Sequence, residues 1–439
     1  MNSLIKNTGG VFKKQFVKNV IIMASGTAAA QIIALIFTPM LTRIYGPEEF
    51  GVLGVFLSLV GIVLPLSALT YPVAIVLPKK DSEAKGLIRL SLYISFFMST
   101  VTFLIFMISG NYLFEKIKME SISNYMLFIP ISMFLGVCLQ VVQQWMIRKK
   151  NYKLIAKVSI IQTLLVNLSK LVVGIFYPFA LALISINVIG YALQALLLRL
   201  GLDNSAKKVM KIKEKQQKYT FNDLFNLAKK YSDFPRYRAP EVFVNAVSQS
   251  LPIIMLTILF TPAAAGFYTI AKKVLELPSQ LIGRSVGDVF YPRVSEAYNN
   301  GENILSLLIK STFSLILIGL VPFGIVIIFG PELFSLVFGE EWKLAGEYGR
   351  WLALLSYFAF INIPSVKTLP VISAQKFLLV FTLLSTILRL GALIVGSYIF
   401  QSDIIAIALF SLSGVVINII LIILTIIKSK KITPISTEF

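Results

Sequence analysis

The sequence predicts an all-α polytopic membrane protein with about twelve transmembrane helices. Of its 439 residues, 56% are hydrophobic and 14% are charged, whereas a soluble protein carries about a quarter charged residues. Apolar runs of about 20 or more residues recur along the whole chain. Thirty of the 41 Lys and Arg residues lie in the two tails or in and beside every second gap between these runs, and only four lie in or beside the other gaps. Because Lys- and Arg-rich loops stay cytoplasmic, this distribution also predicts the orientation.

The apolar runs define twelve predicted spans. They lie at residues 18–43, 50–77, 87–112, 124–147, 153–176, 178–200, 238–260, 266–291, 304–330, 346–368, 376–400 and 404–427. Both tails and the even-numbered gaps carry the basic residues, so both termini are predicted to be cytoplasmic. The first run is longer than the core of a signal peptide, which favours an uncleaved first span.

The long cytoplasmic gap divides the chain into three predicted segments. Residues 1–200 form an N-terminal six-helix bundle, 201–237 a cytoplasmic linker and 238–439 a C-terminal six-helix bundle. Thr220 and Asp223 have the spacing of a capping box that opens a short helix in the linker. Its apolar face would consist of Leu224, Leu227, Ala228 and Tyr231. Either an interfacial helix or a simple tether fits this pattern.

The two halves share a faint repeat. Pro47 and Gly51 recur as Pro262 and Gly266, 215 residues later. Six spans in each half predict a parallel repeat about an axis along the membrane normal, with a cavity between the halves.

Composition excludes several classes of function. The net charge is +20, but the basic residues lie beside the spans, where topology and anionic lipid explain them, so we expect no nucleic-acid partner. There is no histidine and one cysteine, Cys138, which excludes His-based catalysis, an internal disulfide and a thiol metal site. Because phosphate loops, nucleophile elbows and metal clusters are also missing from the sequence, we predict a protein that is not an enzyme and has no metal site or cofactor.

Charges inside the spans are the best candidates for function. A charge at mid-bilayer costs roughly 2.5–3.5 kcal/mol on insertion scales, so depth distinguishes functional charges from those that reach the interface. Lys273 and Glu276 lie roughly 10–15 Å into span 8. Arg389 lies near the middle of span 11. These positions predict a water-filled cavity that receives an anion.

The same eighth span carries a polar stripe. At 100° per residue, Lys273, Gln280 and Arg284 share one face, which also includes Tyr291. Two oppositely charged pairs have the i,i+4 spacing that permits mutual neutralisation, namely Lys272 with Glu276 and Arg284 with Asp288. Self-pairing would leave Lys273 and Arg389 as the cations to be explained.

Three further charged residues are candidates for the functional site, although each also has a simple structural explanation. Arg43 closes span 1 on the outer side, and Lys170 lies near the outer end of span 5. Both could reach the interface at little cost. Glu241 begins a polar face on span 7, which serves either cavity lining or helix packing.

A local motif carries a family resemblance. Residues 43–51, Arg-Ile-Tyr-Gly-Pro-Glu-Glu-Phe-Gly, join spans 1 and 2. This segment resembles the bacterial Wzx-type O-antigen and polysaccharide repeat-unit flippases of the multidrug/oligosaccharidyl-lipid/polysaccharide exporter superfamily. The resemblance extends through Lys79-Lys80-Asp81, Tyr291-Pro292-Arg293 and the twelve-span layout. It covers nearly the whole chain, although the layout is shared with drug exporters.

The resemblance implies a MATE-like, V-shaped pair of bundles around a central cavity. It implies transport of an undecaprenyl-diphosphate-linked oligosaccharide from the inner to the outer leaflet of the bacterial inner membrane, by alternating access. Mapped onto this sequence, the substrate-binding residues would be Lys273, Arg284, Arg389, Gln280, Arg43 and Lys170. The candidates for coupling to H⁺ or Na⁺ would be Glu276, Asp288 and Glu241.

Two alternatives remain open. A cation-coupled multidrug exporter would share the fold, although its cavity would favour acidic and aromatic residues. A membrane polysaccharide polymerase or ligase would usually need larger outer loops than this chain has. The expected partners are a lipid-linked oligosaccharide diphosphate, membrane lipids, and a polysaccharide polymerase and glycosyltransferases of the same biosynthetic system.

Overall fold

The fold is a bundle of long helices. The computed structural model describes residues 2–206 and 220–430, and no strand occurs among them. Eleven helices in this part of the chain are long and apolar enough to cross a membrane. The predicted fold class, an all-α polytopic membrane protein, is therefore confirmed.

The chain divides into two compact units. Unit 1 comprises Met1–Tyr45 and Val52–Ile254, and unit 2 comprises Gly46–Gly51 and Met255–Phe439. The six-residue segment at the start of the second helix thus belongs to unit 2, although the sequence on both sides of it belongs to unit 1. The boundaries of the three predicted segments stay a prediction.

The described part of unit 1 contains ten α-helices. The second of them begins in unit 2, and the last continues five residues beyond the boundary of unit 1. They are α1 Asn2–Ile44, α2 Pro47–Ser67, α3 Tyr71–Ala74, α4 Asp81–Lys116, α5 Glu120–Ser123, α6 Phe128–Arg148, α7 Tyr152–Phe176, α8 Ala180–Ala206, α9 Phe221–Lys230 and α10 Ala239–Leu259. Within the unit, α1 packs along α7, while α6 packs on α8 and α4. The predicted second span, 50–77, is interrupted after Ser67 because Leu69 and Thr70 adopt left-handed backbone angles.

Seven α-helices begin and end within the described part of unit 2. They are α11 Pro262–Pro278, α12 Arg284–Asn299, α13 Ile304–Phe338, α14 Lys343–Ile361, α15 Ile363–Val371, α16 Gln375–Phe400 and α17 Asp403–Lys430. Helix α14 contacts α11, α13 and α17, while α16 pairs with α17. Helix α14 therefore lies at the centre of this unit.

The eighth predicted span, 266–291, differs most from a simple apolar helix. It is helical, but a π-helical turn at Ser279–Gly283 separates α11 from α12. It is also absent from the eleven helices that qualify as membrane spans by composition. Its lysines and glutamate, Lys272, Lys273 and Glu276, lower its apolar character. A π turn holds more residues than an α turn and frequently marks a functional position in a helix.

The faint repeat in the sequence corresponds to a real contact inside unit 2. A Cβ atom on Gly51 would overlap the carbonyl oxygen of Pro262, and one on Gly266 would overlap the carbonyl oxygen of Pro47. The two helix starts thus meet backbone to backbone through matched glycines, an approach that no larger residue permits. Phe50, beside this crossing, packs edge-on against Trp342, with 5.4 Å between the ring centroids.

The short helix predicted in the linker is confirmed as α9. Thr220 and Asp223 form the expected reciprocal capping box, and Leu224 and Leu227 are buried against unit 1. These two leucines explain why the helix docks instead of remaining a loose tether. The hydrogen bonds from Thr220 lower the pKa of Asp223.

Polar bonds complete the docking of α9. Tyr231 and Lys230 both donate hydrogen bonds to Glu83 of α4, and the bond to Glu83 raises the pKa of Lys230. The Tyr71 hydroxyl donates to the carbonyl oxygen of Ala228 at 3.0 Å.

Arg148 at the end of α6 fixes the neighbouring turn. Its Nε donates to Oδ1 of Asp81 at 2.9 Å, and its Nη1 donates to the Pro78 carbonyl oxygen at 2.6 Å. Lys149 also pairs with Asp81. The start of α4 at Asp81, six residues before the predicted span, follows from these bonds and from the favourable position of an acid in the first helical turn.

Candidate functional site

A polar ladder runs along one face of α11 and into the π turn that follows it. Tyr268, Lys272, Glu276 and Gln280 are spaced four residues apart, which places them on adjoining turns. Lys272 Nζ lies 3.8 Å from Glu276 Oε1, and Gln280 Nε2 donates to Glu276 Oε2 at 3.2 Å. The predicted pairing of Lys272 with Glu276 is confirmed, so this carboxylate has a cation and an amide beside it.

Lys273 is half-buried on the next face of the same helix. It precedes the π turn, whereas Arg284 and Tyr291 follow it. Because a π turn changes the number of residues per turn, the single stripe expected from uniform α-helical spacing does not continue from Lys273 to Tyr291. The side chains of Arg284 and Asp288 lie outside the described residues.

Arg389 of α16 points into the interior of unit 2. Its guanidinium carbon lies 4.4 Å from the centroid of the Phe410 ring on α17. Gly414, one turn further along α17, leaves space that the Arg389 side chain fills. Its Nε is buried and has no hydrogen-bond acceptor among the described residues. Since buried polar groups are almost always hydrogen-bonded, this unsatisfied donor makes Arg389 a candidate for contact with a ligand.

Tyr268 connects Arg389 to the ladder. Tyr268 lies in the neighbourhood of Arg389, and Lys272 Nζ lies 6.0 Å from the centroid of the Tyr268 ring. We call Tyr268, Lys272, Glu276, Gln280 and Arg389 the Tyr268 cluster. Lys272 and Glu276 cancel in charge, so the cluster carries one positive charge from Arg389. The arrangement favours an anion that accepts hydrogen bonds.

The Tyr268 cluster also contains an unsatisfied hydrogen-bond acceptor. The Oε1 atom of Gln280 is buried and lacks a hydrogen-bond donor among the described residues. Together, Gln280 and Arg389 offer an acceptor and a donor on the interior of one unit. A ligand with both anionic oxygens and hydroxyl groups would satisfy both.

The remaining predicted site residues lie in unit 1. Lys170 is buried, and its Nζ donates to Asn187 Oδ1 at 3.1 Å. The Tyr45 hydroxyl donates to the Lys170 carbonyl oxygen at 2.9 Å. This bond places the end of α1, where the exposed Arg43 lies, beside the same turn of α7. Lys170 therefore has a structural role in joining α1, α7 and α8.

Glu241 lies in the first turn of α10 and is mostly exposed. It forms an ion pair with Arg238, with 2.8 Å between Nη1 and Oε2. The structure thus distributes the predicted residues over both units: Arg43, Lys170 and Glu241 in unit 1, and Lys273, Glu276, Gln280, Arg284, Asp288 and Arg389 in unit 2.

Sequence reasoning missed Phe410, Gly414 and the part played by Tyr268. The position of Gly414 opposite Arg389 could have been predicted from the spacing of both residues from the turn between α16 and α17. Arg389 lies twelve residues before Gln401, and Gly414 lies twelve residues after Ser402, so antiparallel helices bring the two to the same level. A small residue opposite a long cation is what such a crossing needs.

Comparisons with known proteins agree with this architecture. Residues 40–347 match the model of a family described as polysaccharide biosynthesis protein. No curated protein matches the chain in sequence.

Solved structures show the same fold at low identity. An inward-facing multidrug resistance MATE family transporter of the MOP superfamily has a TM-score of 0.71 and 11% identity, covering 91% of this chain and 94% of its own. An outward-facing structure described in the same words has a TM-score of 0.58 and 12% identity, covering 94% of each chain. A MATE structure in complex with MaL6 has a TM-score of 0.59 and 14% identity, covering 96% of this chain and 97% of its own.

These matches and the long apolar helices point to a multi-pass membrane protein. With about two thirds of its length matched by the family model, the chain belongs to the polysaccharide biosynthesis protein family and has the MATE fold.

Proposed function

We propose that the protein flips undecaprenyl-diphosphate-linked oligosaccharide units from the cytoplasmic to the outer leaflet of the inner membrane, by alternating access. The family supports a role in polysaccharide synthesis, and the fold supports transport. The basic even-numbered gaps support the orientation with both termini in the cytoplasm. A polysaccharide polymerase and glycosyltransferases would be its functional partners.

The observation that carries the proposal is Arg389. A guanidinium inside a membrane-spanning unit is expensive, and here its Nε has no acceptor among the described residues. Arginine binds phosphate oxygens through paired N–H donors, which gives both energy and geometry. A diphosphate is therefore the substrate group that Arg389 would recognise. The hydroxyl and amide groups of the sugar would meet Gln280.

Release requires that the anion is not held too tightly. The Glu276 carboxylate beside Lys272 limits the positive potential of the Tyr268 cluster, so the diphosphate meets one uncompensated cation at this place. Lys273 would add a second cation on the adjoining face of α11. Protonation or Na⁺ binding at Glu276 would change this balance, which is how an ion gradient would couple to transport.

Substitution of Arg389 tests the proposal. In a strain that depends on this protein for surface polysaccharide, Arg389→Gln should lower the polysaccharide about tenfold or more, the loss expected for one charged hydrogen bond. Arg389→Lys should retain part of the activity. Lys310→Gln, an equal charge change at an exposed position of α13, is the matched control. Immunoblotting of membranes confirms equal insertion.

Reconstitution tests the substrate directly. Vesicles containing the purified protein should move an undecaprenyl-diphosphate oligosaccharide between leaflets, and Arg389→Gln vesicles should do so about tenfold or more slowly. Normal surface polysaccharide in Arg389→Gln cells, or flipping that is independent of the protein, would contradict the proposal.

A multidrug exporter is the second candidate, because structures with this fold include proteins described as multidrug resistance transporters. It predicts that deletion increases sensitivity to cationic drugs and leaves surface polysaccharide unchanged. A polymerase or ligase predicts instead that the purified protein lengthens or transfers lipid-linked sugar.

A further inference from the structure

A groove lies on unit 1 between α4 and the docked helix α9. It has a volume of about 710 Å³. Arg89, Tyr93 and Phe97 of α4 form one wall, and Leu224 and Phe225 of α9 contribute to the other. None of these residues belongs to the Tyr268 cluster or to the predicted transport site.

The groove changes from polar to apolar along its length. Arg89 is its only charged lining residue among those described, and it lies at the end nearer the start of α4. From Arg89 to Met98 the groove follows α4 for about 13 Å. Tyr93 and Phe97 are 65% and 64% exposed, on a helix that is apolar enough to span the membrane. These rings would therefore meet acyl chains.

Three bases contact the first turn of α4, at the end of unit 1 where Arg89 lies. Two carboxylates lie nearby in the first turn of α4, and both are engaged by other bases. Asp81 pairs with Arg148 and Lys149, and Glu83 pairs with Lys230. Lysines and arginines outnumber acids here, as expected for the cytoplasmic face. A negative headgroup would be attracted to this end.

Helix α9 makes the groove suitable for a lipid. It buries Leu224 and Leu227 in unit 1, but Phe225 remains 64% exposed at the rim. An amphipathic helix with aromatic and basic residues typically lies at the level of the lipid headgroups. Here it would cover the polar end of a lipid whose acyl chain follows Tyr93 and Phe97.

We propose that this groove binds an anionic phospholipid of the cytoplasmic leaflet, with its phosphate at Arg89 and an acyl chain along α4. The bound lipid would hold α9 against unit 1 from the membrane side. The proposal is independent of the transported substrate, because it concerns a lipid-facing surface of unit 1 and requires no transport.

Binding of defined lipids tests it. Purified full-length protein is delipidated and titrated with phosphatidylglycerol or with phosphatidylcholine of the same acyl chains, and bound lipid is counted by native mass spectrometry. Arg89→Gln should weaken phosphatidylglycerol binding about fivefold, the effect of one cation at the membrane surface, and leave phosphatidylcholine unchanged. Arg199→Gln, an exposed arginine near the end of α8, is the matched control. Equal binding of the two lipids by the wild type, or equal losses in both variants, would overturn the proposal.

Photocrosslinking identifies the occupant in cells. With a benzophenone amino acid in place of Phe97, the expected adduct is a phospholipid, and Arg89→Gln should reduce its yield. An adduct mainly with another protein or with a polyprenyl diphosphate would overturn the phospholipid assignment.

Discussion

Two arginines differ in how the protein bonds their guanidinium groups: Arg148 lies at the end of α6, and Arg389 lies in the middle of α16. Arg148 of unit 1 donates to the Asp81 carboxylate and to the Pro78 carbonyl oxygen, and its side chain is 10% exposed. Arg389 of unit 2 stacks on Phe410, yet its Nε has no acceptor among the described residues. The protein itself satisfies the first guanidinium and leaves the second incomplete.

The difference separates folding from function. A charge that is fully hydrogen-bonded by its own chain stabilises the fold, whereas a charge left incomplete destabilises it and persists for another reason. In unit 1, the positive charge of Arg148 stabilises the turn before α4. Positive potential inside unit 2 remains available to a ligand. Mutations at Arg148 and Arg389 should therefore change stability in opposite directions.

The largest effect is expected for Arg148→Ala. The substitution removes the charged bond to Asp81 and leaves the Pro78 carbonyl oxygen without this donor. We expect a loss of about 2–3 kcal/mol in stability, measured by thermal unfolding of the purified protein in detergent. Arg199→Ala, at an exposed position, should have little effect. Equal melting temperatures for the two variants would show that the turn does not depend on Arg148.

A smaller effect of opposite sign is expected for Arg389→Met. Methionine keeps a long side chain against Phe410 and Gly414 but removes an incompletely bonded cation from the interior of unit 2. Replacement of buried charge by an apolar group of similar length is often neutral or stabilising, so we expect a gain of about 1 kcal/mol in the same unfolding assay. Surface polysaccharide should be lost at the same time. A variant that is both less stable and fully active would reverse the distinction drawn between Arg148 and Arg389.

The parts of the fold governed by local rules were predictable from the sequence. The capping box of Thr220 and Asp223 correctly predicted the start of α9, because its bonds join residues three apart. Continuous apolar runs correctly predicted the long helices, because helical hydrogen bonds also join residues that are close in sequence. The π turn at Ser279–Gly283 was not predictable, since periodicity arguments assume one helix type throughout. Left-handed angles at Leu69 and Thr70 were missed too, because neither residue type favours them.

The candidate site was predictable only one residue at a time. Depth in the membrane selected Arg389, and i,i+4 spacing correctly predicted the ion pair of Lys272 with Glu276. Contacts between helices could not be predicted from the sequence. Phe410 looks like any other apolar residue of its span, and only the structure shows that Arg389 stacks on its ring. The matched glycines Gly51 and Gly266 lie between these extremes, because a repeat was visible although its meaning as a backbone contact was not.

The smallest effect tests whether the end of unit 1 that carries α9 is held by its own hydrogen bonds. Thr220→Ala removes the cap of α9, which should increase amide hydrogen exchange in Leu224–Lys230 about fivefold at neutral pH. Because the pKa of Asp223 is lowered from its ordinary value of 3.8, the contribution of its carboxylate to the cap is complete above that pH and is lost as the pH falls through the lowered pKa. The wild type and Thr220→Ala should therefore differ most at neutral pH and less under acid conditions, where the bond from the Asp223 N–H to the Thr220 hydroxyl remains. If their exchange rates, corrected for intrinsic chemistry, are equal at neutral pH, then burial of Leu224 and Leu227 alone holds α9. The difference between the two units would then depend on packing as well as on polar bonds.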